Sequence, residues 1–142
     1  MFEEMINDYV ERIKGLDVRG ILLFGSVARN DAKEQSDVDI LVVASGLPDI
    51  KERYGFITVK KPSRIEDIWM TPDELIEMVD AKTGFVVDAL LEGRILLDDG
   101  TINDARSRLV DSLRRLEAKR LKHGWFIPRD DLRETISFDS IL

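Results

Sequence analysis

Cysteine is absent from this chain, which excludes a disulfide framework and any thiolate metal site. No stretch approaches the ~18–20 consecutive apolar residues of a membrane-spanning helix. The opening, MFEEMINDYVERIKG, brings acids in early and has no apolar core of the signal-peptide type, so a cytoplasmic location is expected. Internal repeats and low-complexity linkers are also missing. With 44% hydrophobic residues over 142 positions, the chain suits one domain with a fair core. That domain is expected over 1–142, with its core at about 18–98 and a C-terminal helix and tail at 101–142. Positive charge is scarce overall: the net charge is −7, which argues against a general nucleic-acid sleeve. The balance is uneven, with 12 Lys+Arg against 21 Asp+Glu in residues 1–100, and 9 against 7 in residues 101–142. The single histidine, His123, stands beside Gly124 at an expected helix end and reads as a cap, not a catalyst.

One segment carries recognisable chemistry: GSVARNDAKEQSDVDILVV, residues 25–43. The apolar run Ile21–Phe24 feeds into Gly25-Ser26. Ten residues later come Asp37-Val38-Asp39, and a second apolar run, Ile40–Val43, follows. Two short buried strands thus bracket a turn that holds a small hydroxyl and two acids. Alternation along a strand points Asp37 and Asp39 the same way. Two carboxylates about 4 Å apart repel by roughly 4 kcal/mol at an effective dielectric near 20, so a basic partner, a proton, solvent or a cation must offset them. A hard divalent ion such as Mg²⁺ combines one or two carboxylates with substrate phosphates. Gly25 allows close backbone approach to a ligand, and N–H groups at such a turn attract phosphate. An Asp-x-Asp alone is usually a solvated turn or a helix cap; the combination with Gly-Ser and two flanking strands points to function.

The remainder reads as alternating helices and strands. Phe2–Lys14 has helical apolar spacing and is closed by Gly15. Val18–Phe24 and Asp37–Ala44 read as strands, with a short helix from Ser26 to Asn30. Leu47-Pro48 begins a polar stretch through Pro62 in which Asp49–Lys60 is a candidate helix, its type left open, and a third strand is expected over Arg64–Met70. Thr71-Pro72-Asp73-Glu74 is a capping box with proline at the first helical position, and its helix runs to about Lys82. Gly84–Glu92 reads as a further helix and Arg94–Leu97 as an added strand. Ile102–His123 is the longest periodic segment. Ile102, Ala105, Leu109, Leu113, Leu116 and Arg120 fall on one face, with Arg106, Arg114, Arg115, Lys119 and Lys122 on the other. That basic face is expected to be solvated and to complement the helix dipole; docking of an acidic partner or RNA is the alternative. In the tail, Trp125-Phe126-Ile127-Pro128 could fold back on the core or bury Trp125 against a second subunit, so a homo-oligomer is open.

The pattern Gly-Ser, ten residues, Asp-x-Asp between two strands resembles the nucleotidyltransferase superfamily that includes DNA polymerase beta. The short length resembles its minimal nucleotidyltransferase (MNT) branch. The resemblance covers about residues 18–98. It implies an α/β (α+β) fold: a small mixed β-sheet with helices packed on one side, here with an added C-terminal helix. It also implies two Mg²⁺ ions and transfer of NMP from an NTP, ATP being expected, with loss of pyrophosphate. Gly25 and Ser26 match the triphosphate-binding motif, and Asp37 and Asp39 match the metal-binding acids. Arg29 matches a basic residue of the Ala-Arg-Gly that follows Gly-Ser, and Ser36 is grouped with the nucleotide-binding residues. Asn30 replaces that glycine, and Asn also tolerates the left-handed conformation. The family's third acid, ligand and activator of the attacking hydroxyl, is expected at Asp67, which precedes an apolar pair; Glu66 points to the other face. The MNT branch further implies a HEPN-type ribonuclease toxin as a protein partner and AMP acceptor. The rival is a catalytically degenerate module, an antitoxin that binds nucleotide or partner and transfers nothing.

Overall fold

Residues Ile21–Phe24 and Ile40–Val43 are apolar without interruption. Because successive strand side chains go to opposite faces, both faces of a sheet built from them must be covered. In the computed structural model, β1 (Val18–Phe24) and β2 (Val38–Ala44) occupy the centre of a four-stranded sheet of order β3-β2-β1-β4, with β3 at Ile65–Met70 and β4 at Arg94–Asp98. β1 runs antiparallel to β2 and β4, and β2 runs parallel to β3. The structure describes residues 2–57, 61–116, 119–121, 124–129 and 132–137, the last three stretches as backbone.

Helices cover both faces. Leu22, Phe24, Leu41, Val43 and Met70 pack on one side with Leu75 and Val79 of α4 (Pro72–Ala81), Val86 and Leu90 of α5 (Gly84–Glu92) and Ile102 and Leu109 of α6 (Thr101–Arg115). Ile21, Leu23, Ile40, Val42 and Trp69 face the other way, against Phe2 and the Ile6, Tyr9 and Ile13 stripe of α1 (Glu3–Ile13). The mixed sheet and the α/β class are as expected. The one-sided helix layer is not, because a strand that is apolar on both faces needs α1 on the second.

Local signals hold where they are specific. Thr71 Oγ1 accepts the Glu74 N–H at 3.2 Å while Glu74 accepts the Thr71 N–H at 2.8 Å, which completes the capping box at the start of α4. Asp98, at the end of β4, accepts the N–H groups of Gly100, Ile102 and Asn103 and so starts α6. Arg106, expected on a solvated face, instead donates to the carbonyls of Leu90 and Gly93 at the end of α5. Arg108 forms a two-pronged pair with Asp80 at 2.8 Å.

β3 is an edge strand, and side chains close its outer edge. Lys61 donates to the Ile65 carbonyl, Tyr54 donates to the Asp67 carbonyl and accepts the Trp69 N–H, and Arg53 donates to the Trp69 carbonyl. Edge strands left open are templates for unwanted pairing. Arg53 and Tyr54 come from α3 (Ile50–Phe56), within the candidate helix of the sequence reading. Arg53 is 4% exposed; it also holds the Pro48 carbonyl and both Glu74 oxygens. Burial opposes ionisation of Glu74, but the Thr71 N–H and the Arg53 guanidinium outweigh it and keep the carboxyl below its ordinary range.

The C-terminal helix stops at Arg115 and does not reach 123. Beyond it lies a three-stranded antiparallel sheet of order β5-β6-β7, made of Lys119–Leu121, Gly124–Arg129 and Leu132–Ser137. After Leu116 no apolar residue sustains the helical stripe, and Trp125-Phe126-Ile127 favour a strand. Among the described residues β5 pairs with Gly124–Phe126 and β7 with Gly124–Arg129. Lys119 and Arg120 therefore belong to a strand, while Lys122 and His123 lie outside the described residues. Among the described residues no helix is long and apolar enough to cross a membrane.

Truncating Arg53 leaves Glu74 and two carbonyls without their donor. Arg53→Ala should cost about 3 kcal/mol of unfolding free energy in urea denaturation, with part of that loss disappearing as the pH falls and Glu74 protonates. A change below about 0.5 kcal/mol would show that the guanidinium does not hold α3, β3 and α4 together.

Candidate active site

β1 ends at Phe24 in extended geometry, and Gly25 turns the chain at φ +77° into the short helix α2 (Gly25–Ala28). A β-carbon at Gly25 would overlap Asp39 Oδ2, near the start of the neighbouring strand, so the carboxylate would have to shift to admit a side chain. Glycine is therefore required twice, for its backbone conformation and for the close approach of the Gly-Ser turn to an acid. Asn30, the departure from the family's third position, adopts the left-handed conformation at φ 60°.

The parallel register decides which acids meet. Asp39 lies opposite Glu66, and Ile40 lies opposite Asp67. Paired residues share a face, so Glu66 stands beside Asp39 and Asp67 is turned away, toward α1. There the Asp67 side chain is 8% exposed. It accepts the Tyr9 hydroxyl at 2.5 Å and the Trp69 indole N–H at 3.0 Å, and Lys61 Nζ stands 3.7 Å away. Burial and the Asp67 carboxylate together push the Tyr9 hydroxyl far above its ordinary range, so it stays a donor. The Asp67 carboxylate thus secures β3 to α1 and is turned from Asp39, the neighbouring Glu66 shares the Asp39 face, and both residues border the cleft.

Asp37 is exposed immediately before β2, yet its charge reaches Asp39. Burial, then Asp37, then Glu66 raise the Asp39 pKa to about 6, against the lowering effect of Arg29. Ser36 is not brought in: its hydroxyl accepts the Lys33 N–H at 2.8 Å in a local turn. Arg29 stands 3.4 Å from Asp31 and 4.0 Å from Glu92.

A cleft of about 490 Å³ is lined by Gly25, Ser26, Arg29, Asp39 and Glu66, by Asp67 beside Glu66, and by Phe24, Ile68, Phe85 and Asp88. Phe85 and Asp88 were not singled out from sequence. Asp88 is the only charged residue within the apolar run of α5 from Gly84 to Leu91, a signal that needs the fold to show which way it faces.

Among the described residues no three acids or histidines converge into a ready-made ion cage. The donor set nevertheless suits a hard divalent ion. Mg²⁺ is ordinarily held by one or two carboxylates with phosphate oxygens completing the shell, and the cation would relieve the crowding that raises Asp39. Asp39, Asp37 and Glu66 are the residues that could hold it.

A mixed sheet that brings a Gly-Ser turn and strand-borne carboxylates to one end defines a nucleotidyl-transfer type of architecture. The polymerase beta nucleotidyltransferase family model matches residues 4–101, more than half of the chain, and the protein belongs to that family. Among its relatives are two proteins of Methanocaldococcus jannaschii. "Putative protein adenylyltransferase MJ0141" is 36% identical over 67 residues, 46% of this chain and 66% of the relative. "Putative protein adenylyltransferase MJ1305" is 43% identical over 51 residues, 34% of this chain and 35% of the relative. The chain thus spans less than two thirds of either. Similar solved structures include a chain from a toxin–antitoxin crystal structure with AMP-PNP, at 15% identity and TM-score 0.48, covering 78% of this chain and 88% of that one. A chain from the tri-AMPylated Shewanella oneidensis HEPN toxin in complex with MNT antitoxin gives 14% and 0.48, covering 82% and 90%.

The crowding at Asp39 makes a prediction for stability. A carboxyl whose pKa is higher folded than unfolded binds protons more tightly in the native state, so it lowers stability as the pH rises from about 4 to about 6. Asp39→Asn should therefore be more stable than the parent at pH 7 by about 1–2 kcal/mol, a figure reduced for solvent screening. The advantage should vanish at pH 4. Thermal unfolding of both proteins at the two pH values measures it, and an equal difference at both would contradict the assignment.

Proposed function

We propose that this nucleotidyltransferase-family chain moves NMP, specifically AMP from ATP, to an acceptor hydroxyl with the help of Mg²⁺. The observation that supports it most is the set Gly25, Ser26, Asp39 and Glu66, drawn from three strand ends into one cleft with Asp37 and Arg29 alongside. On this reading the Gly25-Ser26 turn and Arg29 hold the β and γ phosphates, Arg29 exchanging its present contacts with Asp31 and Glu92 for phosphate. Asp37, Asp39 and Glu66 hold the cations. When bound, two such ions supply charge neutralisation of the leaving pyrophosphate and a lowered pKa for the acceptor hydroxyl.

Glu66, exposed at the cleft, takes the role that the sequence resemblance gave to Asp67, and accepts the acceptor's proton. The acceptor oxygen then bonds to the α-phosphorus, the bond from that phosphorus to the bridging oxygen breaks, and the electron pair leaves with pyrophosphate. Rigid placement of these groups on strand ends supplies the catalysis, because positioning and preorganised charge dominate phosphoryl chemistry. The names of the two archaeal relatives support a protein as acceptor, and a HEPN-type ribonuclease is the partner that the MNT resemblance suggests.

Calorimetric titration of ATP into the full chain tests this reading without an acceptor. Binding should require Mg²⁺ and should fall at least about tenfold in an Asp37→Asn/Asp39→Asn double variant, as expected for loss of charge-assisted ligands. Incubation with α-labelled ATP and a HEPN-type ribonuclease should then transfer label to the ribonuclease in the parent alone. Failure of the parent to bind ATP with or without Mg²⁺ would leave the degenerate, partner-binding module as the better description.

A further inference from the structure

The phosphate and acid chemistry uses only some of the residues that line the cleft. Among the rest, α5 contributes Phe85 and Asp88, three residues apart and hence neighbours on one helical face. Phe24 and Ile68 add apolar wall to the same cleft. The other side of α5 is committed to the core, where Val86, Val87, Ala89 and Leu90 are buried. Glu92, at the far end of the helix, stands 4.0 Å from Arg29. Seven residues separate Glu92 from Phe85, about 10 Å along a helix axis. α5 therefore runs from the phosphate-holding turn to Phe85, over the distance by which a nucleotide's base stands away from its outer phosphates.

The two side chains divide the recognition of a base between them. An aromatic face in an apolar wall stacks on any base. An ionised carboxylate only accepts hydrogen bonds, so it repels phosphate and ring carbonyls and favours an amino group.

We infer that Phe85 and Asp88 form the nucleobase subsite, Phe85 stacking on the base and Asp88 accepting a hydrogen bond from its exocyclic amino group. The preferred substrate is then a nucleoside triphosphate with an amino-bearing base, adenine among them. This rests on the reading that the cleft binds a nucleoside triphosphate.

The test compares three probes by calorimetry on the full chain with Mg²⁺: ATP, purine riboside triphosphate (which lacks only the amino group) and inorganic tripolyphosphate. The parent should bind ATP at least about tenfold more tightly than the riboside analogue, the span expected for a hydrogen bond to a charged group. In Asp88→Ala that gap should shrink to within about threefold, with tripolyphosphate affinity unchanged. Phe85→Leu, which keeps an apolar side chain against the core, should weaken both nucleotides and leave tripolyphosphate alone. Equal binding of the two nucleotides by the parent, or a gap that survives Asp88→Ala, would overturn the subsite while tripolyphosphate binding keeps the phosphate site standing. Absence of binding by all three would overturn the nucleotide reading and the subsite with it.

Discussion

The register between β2 and β3 is the constraint on which the site depends. With Asp39 opposite Glu66, two carboxylates share one face at one end of the sheet, and Asp37 adds a third charge that Asp39 feels. A slip of one residue would exchange Glu66 for Asp67 and turn every side chain of β3 over. The fold fixes that register on two sides. Behind β3, Tyr9 and Trp69 hold the Asp67 carboxylate; at its outer edge, Lys61, Tyr54 and Arg53 satisfy the carbonyls of Ile65, Asp67 and Trp69. The edge strand that carries Glu66 is in this way held like an interior one. The crowding itself is destabilising, as a raised carboxyl pKa must be at neutral pH, and strain of this kind is what a bound cation would relieve.

Much of this was legible in the residues. The helix starts and the central strands came from specific local signals: the Thr71 capping box, the two apolar tetrads, and glycine after Phe24. Gly25, Ser26, Arg29 and Asp39, singled out by motif, lie along one cleft, and the motif encodes that geometry through a glycine packed close against an acid. The third acid was not settled that way. Glu66 and Asp67 are adjacent, either could be written into the pattern, and only strand pairing says which one faces Asp39. The apolar pair after Asp67 was a misleading cue. Trp69 turns to the same side as Asp67 and binds it, whereas Ile68 shares the cleft face with Glu66. Ser36 accepts the Lys33 N–H in a local turn.

Helix placement shows the same division. Uninterrupted apolar strands already require cover on both faces, so α1 opposite α4, α5 and α6 follows from Ile21–Phe24 and Ile40–Val43 once that requirement is applied. The end of α6 was harder to see, because arginine and lysine are compatible with a helix and only the loss of apolar spacing after Leu116 marks its stop. Phe85 and Asp88 belong to no motif. Their meaning comes from the way α5 crosses the sheet end, with Glu92 beside Arg29, and that crossing is a property of the packed core, not of any short segment.

The claim that most needs testing is that Glu66, and not Asp67, completes the cation-holding acids. Bound Mn²⁺ can be counted by electron paramagnetic resonance in the presence of the α,β-methylene analogue of ATP, with no acceptor required. The account predicts about two ions per chain in the parent and in Asp67→Asn, and about one in Glu66→Gln. An ion lost from folded Asp67→Asn and kept in Glu66→Gln would contradict it.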